Sequence, residues 1–126
     1  MSYIPDMTPL ESWPDMTPLQ SWQHDGIPAI AVGWLGHTVH HVGAVPEVAM
    51  RVLRHFHQHY TIQDGMLGLH TCEICGQAQF HNEFWIGYGG VRYVLPVGIF
   101  HYIEAHHYCP PAEFLAVLNT LAHRSI

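Results

Sequence analysis

Lysine is absent from this 126-residue chain, and basic residues of any kind are scarce. The four arginines (Arg51, Arg54, Arg92 and Arg124) stand against ten carboxylates, which gives a formal net charge of -6. A protein that neutralises nucleic-acid phosphates needs a clustered basic surface, and four scattered arginines do not supply one. We therefore expect no nucleic acid among its partners. The 13 histidines raise the net charge only as the pH falls through about 6.5.

Cysteine is also sparse, and long apolar segments are missing. Three cysteines are an odd number, whereas a small secreted chain is typically held together by an even set. The amino-terminal sequence lacks the positive and apolar regions of a signal peptide. No apolar run approaches the ~20 residues that a membrane-spanning helix needs. We expect a cytoplasmic protein with reduced thiols, no membrane association and one hydrophobic core.

Residues 5–13 and 14–22 are two nearly identical copies, PDMTPLESW and PDMTPLQSW. In each copy a Thr-Pro pair is followed by Glu or Gln, a pattern that favours one helical turn ending in tryptophan. One interpretation is a double peptide ligand that presents Trp13 and Trp22 as anchors. We favour a second interpretation, a recent duplication in which Trp22 packs on the core and the first copy is a loose tail.

Hydrophobic periodicity and turn residues predict the elements of the domain. The apolar run between Gly26 and Gly36 predicts a buried strand over about 29–35. A helix is expected to begin at Pro46, the favoured first-turn position. The residues expected on its buried face are Val48, Ala49, Val52, Leu53, Phe56 and Tyr60.

The second half of the chain predicts a hairpin and two further helices. Strands over 79–86 and 91–95 are expected to be joined by the glycine-rich turn 87–90. Helices are expected over about 97–107 and 111–123. The buried stripe of the last helix is predicted to be Phe114, Val117, Leu118 and Leu121.

The strongest chemical pattern is a cysteine pair followed by a histidine pair. Two residues separate Cys72 from Cys75, four separate His101 from His106, and 25 lie between the pairs. Thiolates at this spacing hold one ion through a knuckle turn, and Cys2His2 is a common structural zinc set. We predict one structural Zn2+ held by these four side chains, with no catalytic residue. The alternative is that the cysteines are small buried hydrophobes and His101 a core histidine.

These elements predict a small single α+β domain. Knuckle, β-hairpin and helix follow one another in a treble-clef-like or extended ββα order, with an N-terminal strand and two further helices. The zinc-binding domain is expected to span residues 26–126, after a duplicated Pro/Trp tail over residues 1–25.

The histidine spacing does not suit a regular helix. Positions i and i+5 are about 500° apart, which is about 140° around the axis. His101 and His106 can share an ion only if the last helical turn loosens, and Pro110 and Pro111 favour an early helix end. The substitute ligands are His107, His70 and Cys109.

Other histidines carry weaker patterns. His55 and His59 share a face of the first predicted helix, with His57 between them. One interpretation is a second metal site completed by His37, His40 or His41; we favour a solvated face. Residues 81–83, His-Asn-Glu, suggest a nuclease-like site, but the Asp-His pair and the basic surface that such nucleases add are not present.

Part of the sequence resembles a group of small bacterial proteins that are uncharacterised. The segments Cys72–Gly76 and Ile99–Pro111 carry the resemblance, with weaker similarity at Val32–Leu35 and Gly43–Pro46. It extends over roughly residues 30–118, so the duplicated tail lies outside it. The resemblance implies the same four zinc ligands and a stand-alone cytosolic domain, and it implies no activity.

The sequence predicts binding rather than catalysis. An acidic chain rich in aromatic residues suits a protein partner, since Trp and Tyr side chains dominate many interfaces. One version is an immunity or regulatory protein that caps a basic toxin or enzyme. The alternative is a zinc-dependent hydrolase with an open metal position, in which His106 or His107 leaves the metal and Glu104 or Glu73 acts as general base. A histidine-based metal or pH sensor is the third hypothesis.

Overall fold

A five-stranded mixed sheet with helices against it forms the frame of the computed structural model, which describes residues 4–10, 27–36, 40–62, 70–80 and 82–124. The described helices are α1 (Glu47–Tyr60), α2 (Ile99–His106) and α3 (Ala112–Ala122). The strands are β1 (Thr8–Pro9), β2 (Ala29–Ala31), β3 (Thr61–Ile62), β4 (His70–Thr71), β5 (Gln79–Phe80), β6 (Glu83–Tyr88) and β7 (Val91–Pro96). The predicted α+β class is confirmed.

The hairpin of β6 and β7 lies at the centre of the sheet, whose strand order is β1-β2-β7-β6-β3. Its antiparallel register ends at Tyr88↔Val91, which leaves Gly89 and Gly90 as the turn. Both glycines have positive φ, 62° and 78°, as a two-residue hairpin turn of the type I′ class requires. The predicted hairpin is confirmed. Its first strand begins at Glu83, because the two residues of β5 pair with β4 in a separate sheet.

Helices α1 and α3 pack against each other, and α1 also packs on β6. The predicted helix α1 begins at Glu47, one residue later than predicted, with Pro46 as the residue before it; the buried stripe of α3 is confirmed. Tyr60 was expected on the buried face of α1, but it is 53% exposed because it is the last residue of the helix, beside the edge strand β3. Met50, absent from the predicted face, is buried. Within the described ranges, no helix is long and apolar enough to cross a membrane.

The first copy of the duplicated segment belongs to the sheet. Strand β1 comes from this copy and pairs antiparallel with β2, and β2 pairs parallel with β7. Ile4 and Leu10, on either side of β1, are fully buried. The prediction of a loose first copy is therefore wrong for residues 4–10, because burial of these two side chains and strand pairing hold it. Trp22 and the second copy lie outside the described residues, and the division at residue 25 stays a prediction.

Gly33 ends the strand that the sequence predicts over 29–35. Strand β2 stops at Ala31, and Gly33 adopts a left-handed φ of 86°. The Gly33 N–H donates to one carboxylate oxygen of Asp6 at 2.8 Å, and the Tyr108 hydroxyl donates to the other at 2.8 Å. Burial raises the pKa of Asp6, although both hydrogen bonds act to lower it. Asp6 thus ties the amino-terminal segment to the segment that follows α2.

Candidate metal centre

The cysteine pair lies in the turn of the β4–β5 hairpin. The Cys72 N–H donates to the Ala78 carbonyl at 2.9 Å, which closes the hairpin, and the Gly76 N–H donates to the Cys72 carbonyl at 2.8 Å. Gly76 has a φ of 69°, a conformation that glycine adopts without steric cost. The backbone therefore folds back around the sulfur atoms of Cys72 and Cys75, which are 3.6 Å apart.

The last turn of α2 is wider than a regular helical turn. His107 donates its N–H to the Tyr102 carbonyl, five residues back, and the Tyr108 N–H reaches the same carbonyl at 3.1 Å. A regular helix bonds four residues back, and a bond over five residues is of the π type. His106 lies within this wider turn, and the centroid of its ring is 5.0 Å from that of His101. The five-residue spacing of His101 and His106 requires a loosened helix end, and the last turn of α2 has one.

The cysteine and histidine pairs converge on one point. The Cys72 sulfur is 3.4 Å from Nε2 of His106, and the Cys75 sulfur is 3.6 Å from Nε2 of His101. All four donor atoms lie within 4.8 Å of one another. Cys72 is buried, Cys75 is exposed, and both histidines are half-buried. These four side chains form a metal cluster that could hold one ion.

The three substitute ligands named from the sequence lie outside the metal cluster. His107 is exposed and has a left-handed φ of 57°. His70 is buried, and its Nε2 is 2.5 Å from the Tyr102 hydroxyl. Cys109 is buried, and its thiol points to the Ala44 carbonyl oxygen at 3.9 Å. The predicted set of Cys72, Cys75, His101 and His106 is thus the group that the fold brings together.

Two neighbours of the metal cluster were not found by sequence reasoning. Tyr102 is fully buried, and its hydroxyl is hydrogen-bonded to Nε2 of His70. Burial raises the pKa of Tyr102, so this hydroxyl keeps its proton. Nε2 of His40 is 2.9 Å from the carbonyl oxygen of His106. The only sequence signal for Tyr102 is its position next to a predicted ligand on a predicted helix.

The surroundings of the donor atoms change their proton affinities in different directions. Burial raises the pKa of the Cys72 thiol. Hydrogen bonding to the backbone N–H of Gln77 lowers the pKa of the exposed Cys75 thiol. Burial, followed by the neighbouring His101, lowers the pKa of His106. In the metal-free chain Cys75 is therefore the easier sulfur to ionise, and His106 favours the neutral form that binds a metal.

An open groove borders the metal cluster. It lies between α1 and α2, has a volume of about 480 Å³, and includes the ring of His101 in its wall. Phe80, at the end of the cysteine hairpin, forms another part of the wall. A β-carbon added to Gly98 would lie 2.3 Å from the Phe80 ring, so this ring packs directly on the start of α2. The hairpin that carries the cysteines therefore also shapes the groove.

The carboxylates considered for the hydrolase and for the nuclease-like site take different positions. Glu73 and Glu104 are exposed, and Glu104 lines the groove. Glu83 is buried and accepts a hydrogen bond from the Trp85 indole at 2.8 Å. It is therefore bound inside the protein rather than presented to a substrate. His81, the other ionisable member of the suggested nuclease-like group, lies outside the described residues.

Comparison with curated proteins found no match, and comparison with solved structures found none either. A family model does match, and it covers residues 2–119, almost the whole chain. The match begins ahead of the first copy of the duplicated segment and extends past the histidine pair into α3. The chain belongs to this family, a domain of unknown function designated DUF7919.

Proposed function

We propose that the metal cluster binds one zinc ion. Around a tetrahedral zinc, bonds of about 2.3 Å to sulfur and about 2.05 Å to nitrogen separate two sulfurs by about 3.8 Å, and sulfur from nitrogen by about 3.6 Å. The two sulfurs are 3.6 Å apart, and the two short sulfur–nitrogen distances are 3.4 and 3.6 Å. This agreement is the observation that supports the proposal.

The chemistry of the donors favours zinc in a structural role. Thiolates are soft ligands that Mg2+ and Ca2+ avoid, and a tetrahedral set of two sulfurs and two nitrogens is typical of zinc. Four protein ligands leave no vacant position for water, which argues for a structural ion rather than for the hydrolase hypothesis. The ion joins the β4–β5 hairpin to α2. It thereby fixes Phe80 on Gly98 and, with it, the wall of the groove.

The role that we propose for the domain is that of a cytosolic protein-binding module. Ile74, at the tip of the zinc knuckle, is 36% exposed, and the groove beside the knuckle has an apolar lining from Met50, Phe80, Val97 and Phe100. Contiguous apolar surface marks interaction sites, and the apolar wall of the groove, rather than Ile74 alone, supports this role. The net charge of -6 favours a partner with a basic surface, as the target of an immunity or regulatory protein would have.

Two matched substitutions test this role. The zinc-loaded chain is used to isolate a binding protein, and its Kd is then measured with both proteins purified. Ile74→Asp alters the knuckle tip, whereas Ile27→Asp alters an equally apolar residue that is 40% exposed beside the β6–β7 turn. We expect Ile74→Asp to weaken binding at least about tenfold, because a charge replaces an apolar contact. Ile27→Asp should bind like the wild type.

Two outcomes would contradict the role. Equal binding by the wild type and both variants would remove the knuckle from the interface. Loss of binding only in Ile27→Asp would move the interface to the other end of the sheet. Either outcome leaves the proposed zinc ion untouched, since Ile74 and Ile27 supply no donor atom.

A further inference from the structure

A second pair of histidines lies on α1, apart from the metal cluster. His55 and His59 are one helical turn apart, and their ring centroids are separated by 4.6 Å. His59 is exposed and His55 is half-buried. Residues four apart lie on one face of a regular helix, so both rings reach the same region of solvent.

When two imidazole rings bind one metal ion, the distance between their centroids depends on the angle between the two metal–nitrogen bonds. With a metal–nitrogen bond of about 2.05 Å, the centroids of two bound imidazoles lie about 4.5 Å apart at a right angle and about 5.2 Å apart at a tetrahedral angle. The 4.6 Å of His55 and His59 would suit the right angle when one nitrogen of each ring turns to a shared ion. The 5.0 Å of His101 and His106 is nearer to the tetrahedral value.

The neighbouring histidines do not complete this pair into a larger ligand set. His57, between the two, has ring contacts with Phe84 and Phe100 on the inner side of the helix. The rings of His40 and His41 lie against the backbone carbonyls of His106 and Cys109. Those carbonyls belong to the segment around the end of α2. The three-histidine site considered from the sequence is therefore not formed by the residues that the structure describes.

We propose that His55 and His59 form a second, exposed metal site for a divalent ion that prefers right-angle bonds to imidazole, namely Ni2+ or Cu2+. Both ions bind imidazole well and favour square-planar, tetragonal or octahedral geometry. Water fills the remaining positions. The acidic net charge favours a cation, whereas Arg51 and Arg54 on the same helix oppose it. The Arg54 charge is offset by its ion pair with Glu47.

Nickel titration of the zinc-loaded full chain tests the site. Ni2+ is the probe because Cu2+ oxidises thiolates and would attack the metal cluster. We expect one Ni2+ per chain by calorimetry, paramagnetic broadening of the His55 and His59 ring signals in NMR spectra, and no loss of bound zinc. His59→Ala should weaken Ni2+ binding by at least about tenfold, because a single imidazole loses the advantage of two linked ligands.

A variant with unchanged composition supplies the matched control. Exchanging residues 51 and 55, as Arg51→His with His55→Arg, keeps 13 histidines and the net charge but places the two rings eight residues apart, about two helical turns. It should weaken binding as much as His59→Ala. If both variants bind Ni2+ as tightly as the wild type, the ion binds elsewhere and the proposal is wrong. The proposal also fails if the ring signals of His55 and His59 stay sharp. Neither result bears on zinc or on the protein partner.

Discussion

The two histidine pairs lie on helices of different length and regularity. His55 and His59 lie four apart on a 14-residue regular helix. His101 and His106 lie five apart at the end of an eight-residue helix whose last turn is widened. Among the described residues no third ligand side chain forms a cluster with the first pair, whereas the second faces two thiols. Spacing alone would have ranked the first pair higher as a chelate, so the decisive features are the cysteine knuckle and the shape of the helix end.

Removal of the Cys72 sulfur should cause the largest loss of stability, because it affects the second histidine pair and its zinc but not the first pair. Cys72→Ser removes a donor from the metal cluster, and we expect loss of zinc and of folding free energy on the order of 10 kcal/mol. That equals the whole stability of a typical domain, so the variant should be largely unfolded. Zinc content and far-UV circular dichroism measure both effects. Cys109→Ser, at a buried cysteine outside the cluster, should keep its zinc. Equal zinc loss in both variants would contradict the assignment.

Transferring the spacing of the first pair to the second tests the widened turn. The double change Ala105→His and His106→Ala places the histidines of α2 four apart, at an exposed position. We expect zinc affinity to fall by more than about 100-fold, because the imidazole at position 105 would point away from the two sulfurs. That loss is larger than the 10- to 100-fold typical of residues that only orient a metal ligand. Competition with a chelator measures the affinity. Retention of wild-type affinity would mean that the helix end is regular in the zinc-bound protein.

Tyr102 marks a further difference between the pairs. The described ring contacts of the first pair are with residues of the same helix, whereas a buried hydroxyl lies beside the second. Tyr102→Phe leaves His70 without this partner, at a cost of about 1–3 kcal/mol in unfolding free energy. Because His70 begins the strand β4 that leads to Cys72, loss of this contact should also weaken zinc binding about 10- to 100-fold. Urea unfolding and chelator competition measure the two effects. Tyr60→Phe, at an exposed tyrosine, is the control, and equal behaviour of both variants would remove this role.

The contributions of the metal cluster and of Asp6 to the unfolding free energy should change with pH in opposite directions. Protons compete with zinc for thiolate and imidazole, so the metal cluster loses stability as the pH falls. Burial raises the pKa of Asp6, so the folded chain binds its proton more tightly than the unfolded chain does. The contribution of Asp6 is favourable below its unfolded pKa and is lost as the pH rises through the folded value. Relative to wild type, Asp6→Asn should therefore gain stability between pH 4 and pH 8. A difference in unfolding free energy that is independent of pH would contradict this.

The smallest expected effect concerns His107, next to the second pair. His107 has a left-handed φ of 57°, which costs a non-glycine residue about 1–2 kcal/mol. His107→Gly should raise the unfolding free energy by up to about 1 kcal/mol and leave one zinc per chain. Thermal unfolding and metal analysis measure these effects. Loss of zinc would show that His107, rather than His106, is the fourth ligand.

Patterns between residues close in sequence were sufficient to predict much of the fold and the four residues of the metal cluster. The Gly89-Gly90 turn, the apolar stripe of α3 and the proline at the start of α1 each act within a few residues, so sequence spacing predicts them. The four cluster residues were predictable because knuckle spacing and histidine spacing are local patterns. Their convergence then requires only that the hairpin and α2 meet.

The features that escaped prediction depend on long-range contacts. The first copy of the duplication pairs with β2, and Asp6 bonds to Tyr108, 102 positions away. Two nearly identical copies carry the same local signal, so sequence alone could not tell that the first one enters the sheet. Tyr102, likewise, reads as an apolar helix position until β4 brings His70 to its hydroxyl.

Zinc K-edge X-ray absorption on the purified chain tests the central claim most directly. The account predicts one zinc per chain with two sulfur ligands at about 2.3 Å and two nitrogen ligands at about 2.0–2.1 Å. In Cys75→Ser the spectrum of any remaining zinc should lose one sulfur. A zinc shell of nitrogen and oxygen alone, or a chain that folds fully and binds no metal, would contradict it.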